Sequence, residues 1–429
     1  MTTPVTVPAD PATLSDLAAL DAAAMPSFFN LPPDVEQLRD EVRDFAQTVV
    51  KPRVLANDLA AHDDFDWEVV RKGHELGLTR LTLPTAIGGR GVGVLGVAVA
   101  LEEIASVCAS TALIFGASLL GQSSVLASGD PALQGRFLPT LLGPDPVLAC
   151  NAITEEVAGC DLLIPQNSPH AEQVTTARRD GDSYVLNGIK RFITNGQVAQ
   201  WCTVFANLEG EPGADGLTTF VVPLDLEGVT RGPVADKMGY RACLGTTLTF
   251  TDVRVPAANL VHGEGNGWNF LTMQSNQART TVAAISTGVA RGAFEIARDW
   301  AGERVQGGLP LYQHQFTARK LAEMSVKIDA SRLLYLQAAY QADNMLPAPT
   351  YGPAAAKLYA DRIAIEVSEE SMSILGARGY CREYNVEKFV RESFGARIYE
   401  GTPEVLALAI TNSLYAHRPV AAAEPVLER

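Results

Sequence analysis

Between about residues 148 and 258 the apolar pattern of the chain switches from a helical period to strand-like alternation, and after Gly265 it switches back. A chain with that order must fold as a β unit between two helical units. Upstream, the pattern from Asp34 to about Pro146 is helical. The stretch VEQLRDEVRDFAQTVV places Val35, Leu38, Val42, Phe45 and Val49 three and four apart on one face. LGVAVALEEIA and ASTALIFGASLLGQSSVLA are more uniformly apolar, which predicts buried helices, and DPALQGRFLPTLL starts a short helix with Pro131 just inside it. Within the β window, DSYVLNGIKRFITNG reads as two strands around Asn187-Gly188, a hairpin signal because both residues tolerate positive φ. WCTVFANL, LTTFVVPL and TTLTFTDVRV add further strands, so a small barrel or sandwich is expected. No G-x-G-x-x-G follows a strand, and a Rossmann domain is unsupported. Downstream, helices are expected from about Trp268 to Val305, Gln313 to Asn344 and Pro353 to Leu375, with a fourth from near Thr402. In the second of these Leu321, Met324, Ile328, Tyr335 and Ala339 share a face, and the four together predict an antiparallel bundle. The expected division is a leader (1–33), an N-terminal helical domain (34–147), a β domain (148–258), a C-terminal four-helix bundle (259–416) and a tail (417–429).

Composition narrows the partners. Apolar residues are 47% and charged residues 19% of the 429, which excludes a disordered chain. A net charge of −15 argues against nucleic acid or an anionic membrane surface. The first basic residue is Arg39, so no positive region of a secretory signal precedes it, and the longest apolar run, Val92 to Leu101, is too short to span a bilayer. Cysteines 108, 150, 160, 202, 243 and 381 are scattered without a CxxC, as expected for reduced thiols in a cytoplasmic protein. The six histidines are isolated, and no metal site is expected.

Five segments are candidates for chemistry. In RIYEGTPE, Thr402 is placed to cap a helix, Pro403 suits its first position and Glu404 its first turn. Glu400 then lies in a tight glycine turn, either as a solvated acid or as a carboxylate held ready as a general base. ITEEVAGCD, entering the β region, is either a plain turn or a loop whose Thr154, Gly159 and Cys160 leave backbone donors for a phosphate. RFITNG reads as a strand ending in a turn with Phe192 in the core, SILGARGY as a helix ending on Gly376, and ERVQGGLPLYQHQ as a loop between helices.

Taken in order, these segments resemble the acyl-CoA dehydrogenase family, over nearly all of the chain from Leu31 to about Leu414. LRDEVRDFAQTVVKPR, LPTAIGGRGV, ALEEIASVCAS, DKMGYRA and FTDVRVPAANLV belong to the same resemblance. It implies a helical domain, a small β-barrel domain and a four-helix bundle, with FAD between the last two. By it, Ile153, Thr154, Gly159 and Cys160 form a flavin loop, and Phe192, Ile193 and Thr194 lie beside the isoalloxazine. Arg304, Gln306, Gln315, Gly376 and Ala377 reach the adenine end of a neighbouring subunit's cofactor, and Thr402 touches flavin. The same resemblance implies that Glu400 is the catalytic base, that Tyr399 and Gly401 border the thioester, and that Arg279 lies near the CoA end of the channel. From the sequence pattern alone Arg279 is an ordinary helix-surface charge.

The chain also departs from the family pattern. Glu156 stands for Pro, Cys160 for Ser or Thr, Phe192 for Trp, Asn276 for Asp, Gly307 for Phe, Ser373 for Gln and Pro403 for Ser, and LLIPQNSPHAEQV after Asp161 is several residues longer. The leading expectation is an FAD-dependent α,β-dehydrogenase of an acyl thioester, carried on CoA or an acyl-carrier protein. An electron-transfer flavoprotein is the implied acceptor, and a homo-oligomer (dimer or tetramer) in lipid metabolism the implied setting. The alternatives are a flavin monooxygenase or oxidase of the same family, or a non-catalytic partner subunit.

Overall fold

The computed structural model describes residues 31–164, 173–345, 347 and 349–416. The leader up to residue 30, residues 165–172 of the stretch after Asp161 and the tail from 417 lie outside the described residues. The chain runs α1 (Pro33–Phe45), α2 (Val54–Leu59), α3 (Trp67–Glu75), α4 (Val94–Ala105), α5 (Ala109–Ala127) and α6 (Pro131–Phe137). It continues through β1 (Ala149–Ala152), β2 (Thr176–Asp180), β3 (Ser183–Thr194), β4 (Trp201–Leu208), β5 (Leu217–Pro223), β6 (Val229–Val234), β7 (Gly245–Pro256) and β8 (Leu260–Val261). Then follow α7 (Gly267–Glu303), β9 (Val305–Gln306), β10 (Leu309–Pro310), α8 (Gln315–Asn344), α9 (Tyr351–Leu375), α10 (Val386–Ala396) and α11 (Pro403–Leu414). Local chemistry sets several boundaries. Asp66 caps α3 by accepting from the Glu68 and Val69 N–H groups, and Asp130 caps α6 at 2.8 Å from the Ala132 nitrogen, with Pro131 next. Gly376, at φ +62°, ends α9.

The strands pair in the order β6-β7-β3-β2-β4-β5-β8, with β1 parallel to β4, and Leu186, Val204, Phe220, Leu248 and Phe250 fill a core of their own. The hairpin expected at Asn187-Gly188 is not there. β3 runs unbroken through both residues, and the chain reverses earlier, at Gly181-Asp182, with Asp180 opposite Ser183. The positive φ of Gly188 (+152°) serves a bulge instead, where the register against β7 shifts between Leu186 and Gly188. A Cβ there would lie 2.4 Å from Thr175 Oγ1. The Asn187 amide stays in the sheet by bonding the Asp252 N–H and carboxylate.

The C-terminal helices also differ from expectation at one point. The fourth helix packed on α7 and α9 is α10, which the pattern did not reveal, and α11 packs on α9 as a further helix. The cause is a buried ion pair: Lys388 and Glu392, 2.5 Å apart, occupy the inward face of α10, so that face does not read as apolar. Residues 303–315 form a small β9–β10 hairpin rather than a plain loop, with Gly307 and Gly308 (φ +56° and +84°) at its turn, which accounts for glycine at 307.

The helical units are not separate. One core gathers Leu38, Val42 and Phe45, Leu101 and Ile104, and Phe115 and Leu119 with Ile285, Val289, Ala293 and Phe389. Asp343, ending α8, adds a polar tie by accepting from the Val94 and Leu95 N–H groups at the start of α4. Helix α5 is the buried helix expected from its uniformly apolar sequence. It is long and apolar enough to cross a bilayer by length and composition, yet 72% of that window is buried inside the fold.

Candidate active site

The Glu400 turn lies between α10 and α11. Glu400 and Gly401 take φ +55° and +100°, so two successive residues are left-handed, an arrangement that is strained for a glutamate and persists only when its surroundings enforce it. Those surroundings are visible. The Lys357 ammonium, fully buried on α9, donates to the Gly401 carbonyl (3.0 Å), the Ala396 carbonyl (3.0 Å) and the Asp361 carboxylate (2.7 Å). Tyr399 stands edge-on to Tyr240, with ring centroids 5.9 Å apart. Thr402 occupies the N-cap position expected, but its hydroxyl caps no backbone N–H; the Glu404 carboxylate is held below the usual range by its own backbone N–H and then by the Thr402 hydroxyl.

The turn opens onto a cleft of about 440 Å³ between the β unit, α5 and α7. Leu113, Gly116, Ala117 and Leu120 form one wall, and Ala278, Thr281, Val282 and Ile285 another. Of the residues expected at the site, Ile153, Thr154, Gly159, Phe192, Ile193, Thr194, Tyr399, Glu400, Gly401 and Thr402 all line it. Glu400 is the only carboxylate among the described lining residues. Burial pushes its carboxyl above the usual carboxylate range, against the opposing pull of the Arg279 and Lys357 charges. Burial likewise raises the Tyr399 hydroxyl, keeping it a neutral phenol.

Several expectations are corrected in detail. Phe192 is not in the core: at φ +58° its ring points outward, 63% exposed, against the cleft. Arg279 is not a surface charge but is 3% exposed, inside the protein. The Gly159 N–H is no open donor, because the Asp161 carboxylate takes it at 2.7 Å. Cys160 opens a 3-10 turn over Cys160–Leu163, and its side chain lies outside the described residues. Arg304, Gln306, Gln315, Gly376 and Ala377 are not among the residues lining this cleft; Gln306, Gln315, Gly376 and Ala377 are exposed at the far ends of α7, α8 and α9.

Other residues at the site escaped the sequence reading. Lys190 is buried and bonds the Ile153 carbonyl (3.0 Å), Glu155 (2.8 Å) and Gln173 (2.9 Å), while Glu155 accepts from the Val174 and Thr175 N–H groups. This hub ties the start of the loop to residues 173–175, where the chain returns after the longer stretch. Burial lowers the Lys190 ammonium to about 8, with Glu155 opposing. Asn151 faces the cleft with its Oδ1 buried and without a partner among the described residues. A second cleft of about 390 Å³ adjoins the first and shares Gly116, Leu120, Ala278 and Thr281 with it. A Lys or Asn inside a β pattern carries no signal of this kind until the strands are paired.

The arrangement can hold a flat aromatic group against Phe192 and present a lone carboxylate to a ligand from the other side. Comparison with known proteins identifies the family. The N-terminal, middle and C-terminal domain descriptions of acyl-CoA dehydrogenases match residues 32–144, 150–253 and 265–415. The chain is 36% identical over 377 residues to cyclohex-1-ene-1-carbonyl-CoA dehydrogenase of Geobacter metallireducens, covering 87% of this chain and 96% of that enzyme. Butyryl-CoA dehydrogenase of Megasphaera elsdenii superposes with a TM-score of 0.83 at 32% identity, over 90% of this chain and 99% of that one. The prolyl acyl carrier protein oxidase AnaB superposes with a TM-score of 0.81 at 26% identity, over 90% and 100%. With all three domains matched in order and the carboxylate turn set in their shared cleft, this chain belongs to the acyl-CoA dehydrogenase family.

Proposed function

We propose that the protein is an FAD-dependent dehydrogenase that converts an acyl thioester to its trans-2-enoyl thioester, with Glu400 as the general base. The observation that carries this reading is the lone, desolvated carboxylate of Glu400, held in a left-handed turn and facing the cleft that Phe192 lines. FAD fits the residues present. The buried Asn151 Oδ1, unpartnered among the described residues, and the uncovered Phe192 ring leave a polar and a stacking contact open on the cleft wall. Ile153, Thr154, Gly159, Cys160, Phe192, Ile193, Thr194 and Thr402 would hold the flavin end. Arg304, Gln306, Gln315, Gly376 and Ala377, exposed or at the margin here, would serve the adenine end in another copy of a dimer or tetramer.

A thioester α-hydrogen is only weakly acidic, so the base must be close, dry and correctly aimed. Glu400 removes that proton, its carboxyl already raised by burial, and its backbone N–H stabilises the charge developing on the thioester oxygen. Bound FAD supplies the acceptor for the β-hydrogen, taken as hydride. Tyr399 and Gly401 border the thioester, Arg279 lies toward its carrier end, and the acyl tail extends past Gly116 and Ala278 toward the second cleft. CoA is the carrier and an electron-transfer flavoprotein the acceptor in this reading, which places the enzyme in cytoplasmic lipid metabolism. Mixing the holoenzyme anaerobically with acyl-CoAs of graded length and branching tests it: the flavin should bleach with a subset of them. A yellow protein that none of them bleaches would refute the reading. A second reading, a carrier-protein oxidase, is favoured by the likeness to AnaB, and oxygen uptake with an acyl-carrier-protein substrate would select it.

A further inference from the structure

Resting on the assignment of Glu400 as base, we propose that Lys357 is a positioning residue whose ammonium, braced by Asp361, clamps the Glu400–Gly401 turn in its catalytic conformation. An ammonium has three donors, and here all three are used. One goes to Asp361, and the other two go to the Ala396 and Gly401 carbonyls, which stand at the two ends of the segment carrying Tyr399 and Glu400. A single cation therefore closes that segment into a loop between α10 and α11. Asp361 in turn accepts from Ser286 Oγ at 2.7 Å, which fixes the clamp to α7, the helix that carries Arg279. The Lys357 ammonium also lies 5.9 Å from the Tyr399 ring centroid.

A buried ion pair is weak evidence of a gain in stability, because desolvation offsets the attraction. The same fold contains a comparison. Lys388 and Glu392 form an equally buried pair at the same i, i+4 spacing, yet their other partners are Cys108 and Ser110, in the packing between α10 and α5. Only the Lys357 pair reaches backbone carbonyls beside the base.

Position implies an electrostatic role as well. The charged and titratable groups acting on Glu400 are Arg279 from α7 and Lys357 from α9, with Asp361 behind Lys357 and Tyr399 adjacent, its hydroxyl 3.5 Å from that of Tyr240. Arg279 and Lys357 favour the carboxylate, so neutralising Lys357 drives the Glu400 carboxyl upward. The acid limb of the rate profile then moves to higher pH, a response that a purely structural residue would not give.

The test uses the holoenzyme, butyryl-CoA as probe and three variants. Lys357→Gln removes the charge. Lys357→Gln with Asp361→Asn removes both charges and leaves no uncompensated ion, which guards against failure to fold. Lys388→Met, paired with Glu392→Gln so that no carboxylate is stranded, is the matched control. Anaerobic flavin reduction is followed against pH, and the Glu400 carboxyl is titrated by difference infrared, its band identified by loss in Glu400→Gln. Both Lys357 variants should keep their flavin, reduce it about 10²-fold more slowly at neutral pH, as a misplaced catalytic group does, and shift the acid limb and the carboxyl titration to higher pH together. Lys388→Met with Glu392→Gln should shift neither. An unshifted limb and titration in a folded, yellow Lys357 variant would overturn the proposal. Normal reduction by Glu400→Gln would instead overturn the base assignment on which it rests.

Discussion

Replacing Glu400 by Gln keeps the length of the side chain and the demand for φ near +55°, so the turn and its Lys357 contacts survive while the proton acceptor is lost. A positioned general base contributes roughly 10²–10⁴-fold. At 1.36 kcal/mol per factor of ten, that range is about 3–5 kcal/mol of barrier. The cleft places this variant at the upper end, since Glu400 is the sole carboxylate among the described lining residues and no neighbour can substitute. Stopped-flow flavin bleaching with excess butyryl-CoA under nitrogen should slow by about 10⁴-fold, with flavin content unchanged. A loss smaller than tenfold in flavin-replete protein would refute the reasoning. Stability supplies an independent sign. The folded carboxyl titrates above the 4.5 of an unfolded glutamate, so between those values the folded state binds more protons and stability falls as pH rises. Glu400→Gln abolishes that loss. Its Tm relative to the parent should climb as pH rises from about 4.5 and level off above the folded-state value.

Other perturbations report on the frame around the site. Lys190→Met strands Glu155 as an unpaired buried carboxylate; it should cost about 3–5 kcal/mol in denaturant unfolding and loosen flavin, with part of the loss recovered by adding Glu155→Gln. Gly188→Val forces a Cβ to 2.4 Å from Thr175 at a left-handed position, and should lower Tm by an amount equivalent to about 2–4 kcal/mol. Ala278→Leu narrows the passage between the two clefts, so activity on long acyl-CoAs should fall more than tenfold while butyryl-CoA turnover holds; equal losses across the panel would sever the second cleft from the tail. Asp66→Ala deprives α3 of its cap, about 1 kcal/mol by the same unfolding measurement.

The elements that read correctly from sequence are those whose burial follows a simple period. Leu38, Val42 and Phe45 stand buried three and four apart, and Met324, Ile328, Tyr335 and Ala339 line one face of α8 as the pattern requires. Reading failed where an interior position is polar or a glycine has two uses. Lys388 and Glu392 disguised α10, because their charges cancel only once both are buried together. Asn187-Gly188 carries the φ freedom of a hairpin turn, and whether it makes a turn or a bulge is decided by Thr175 and Asp252 on the neighbouring strands. At the site, the flavin loop, the Phe192 segment and the Glu400 turn followed from the family resemblance, whereas Lys357, Lys190 and Asn151 did not. The two lysines act through contacts between segments tens of residues apart, and Asn151 through its place on a paired strand, which local pattern does not encode.

The core shared by the two helical units has a consequence for how the polypeptide is made. Leu38, Phe45, Leu101 and Phe115 leave the ribosome long before Ile285, Val289 and Phe389, the residues that cover them. At translation rates of 5–20 residues per second, the first third of the chain waits roughly ten seconds to a minute with that apolar face bare. The β unit can close on its own core in the meantime, but the first helices cannot. Nascent chains arrested before α7 should therefore be held by chaperones and cut readily by protease, and protection should come to the N-terminal third only when α7 and α10 have emerged.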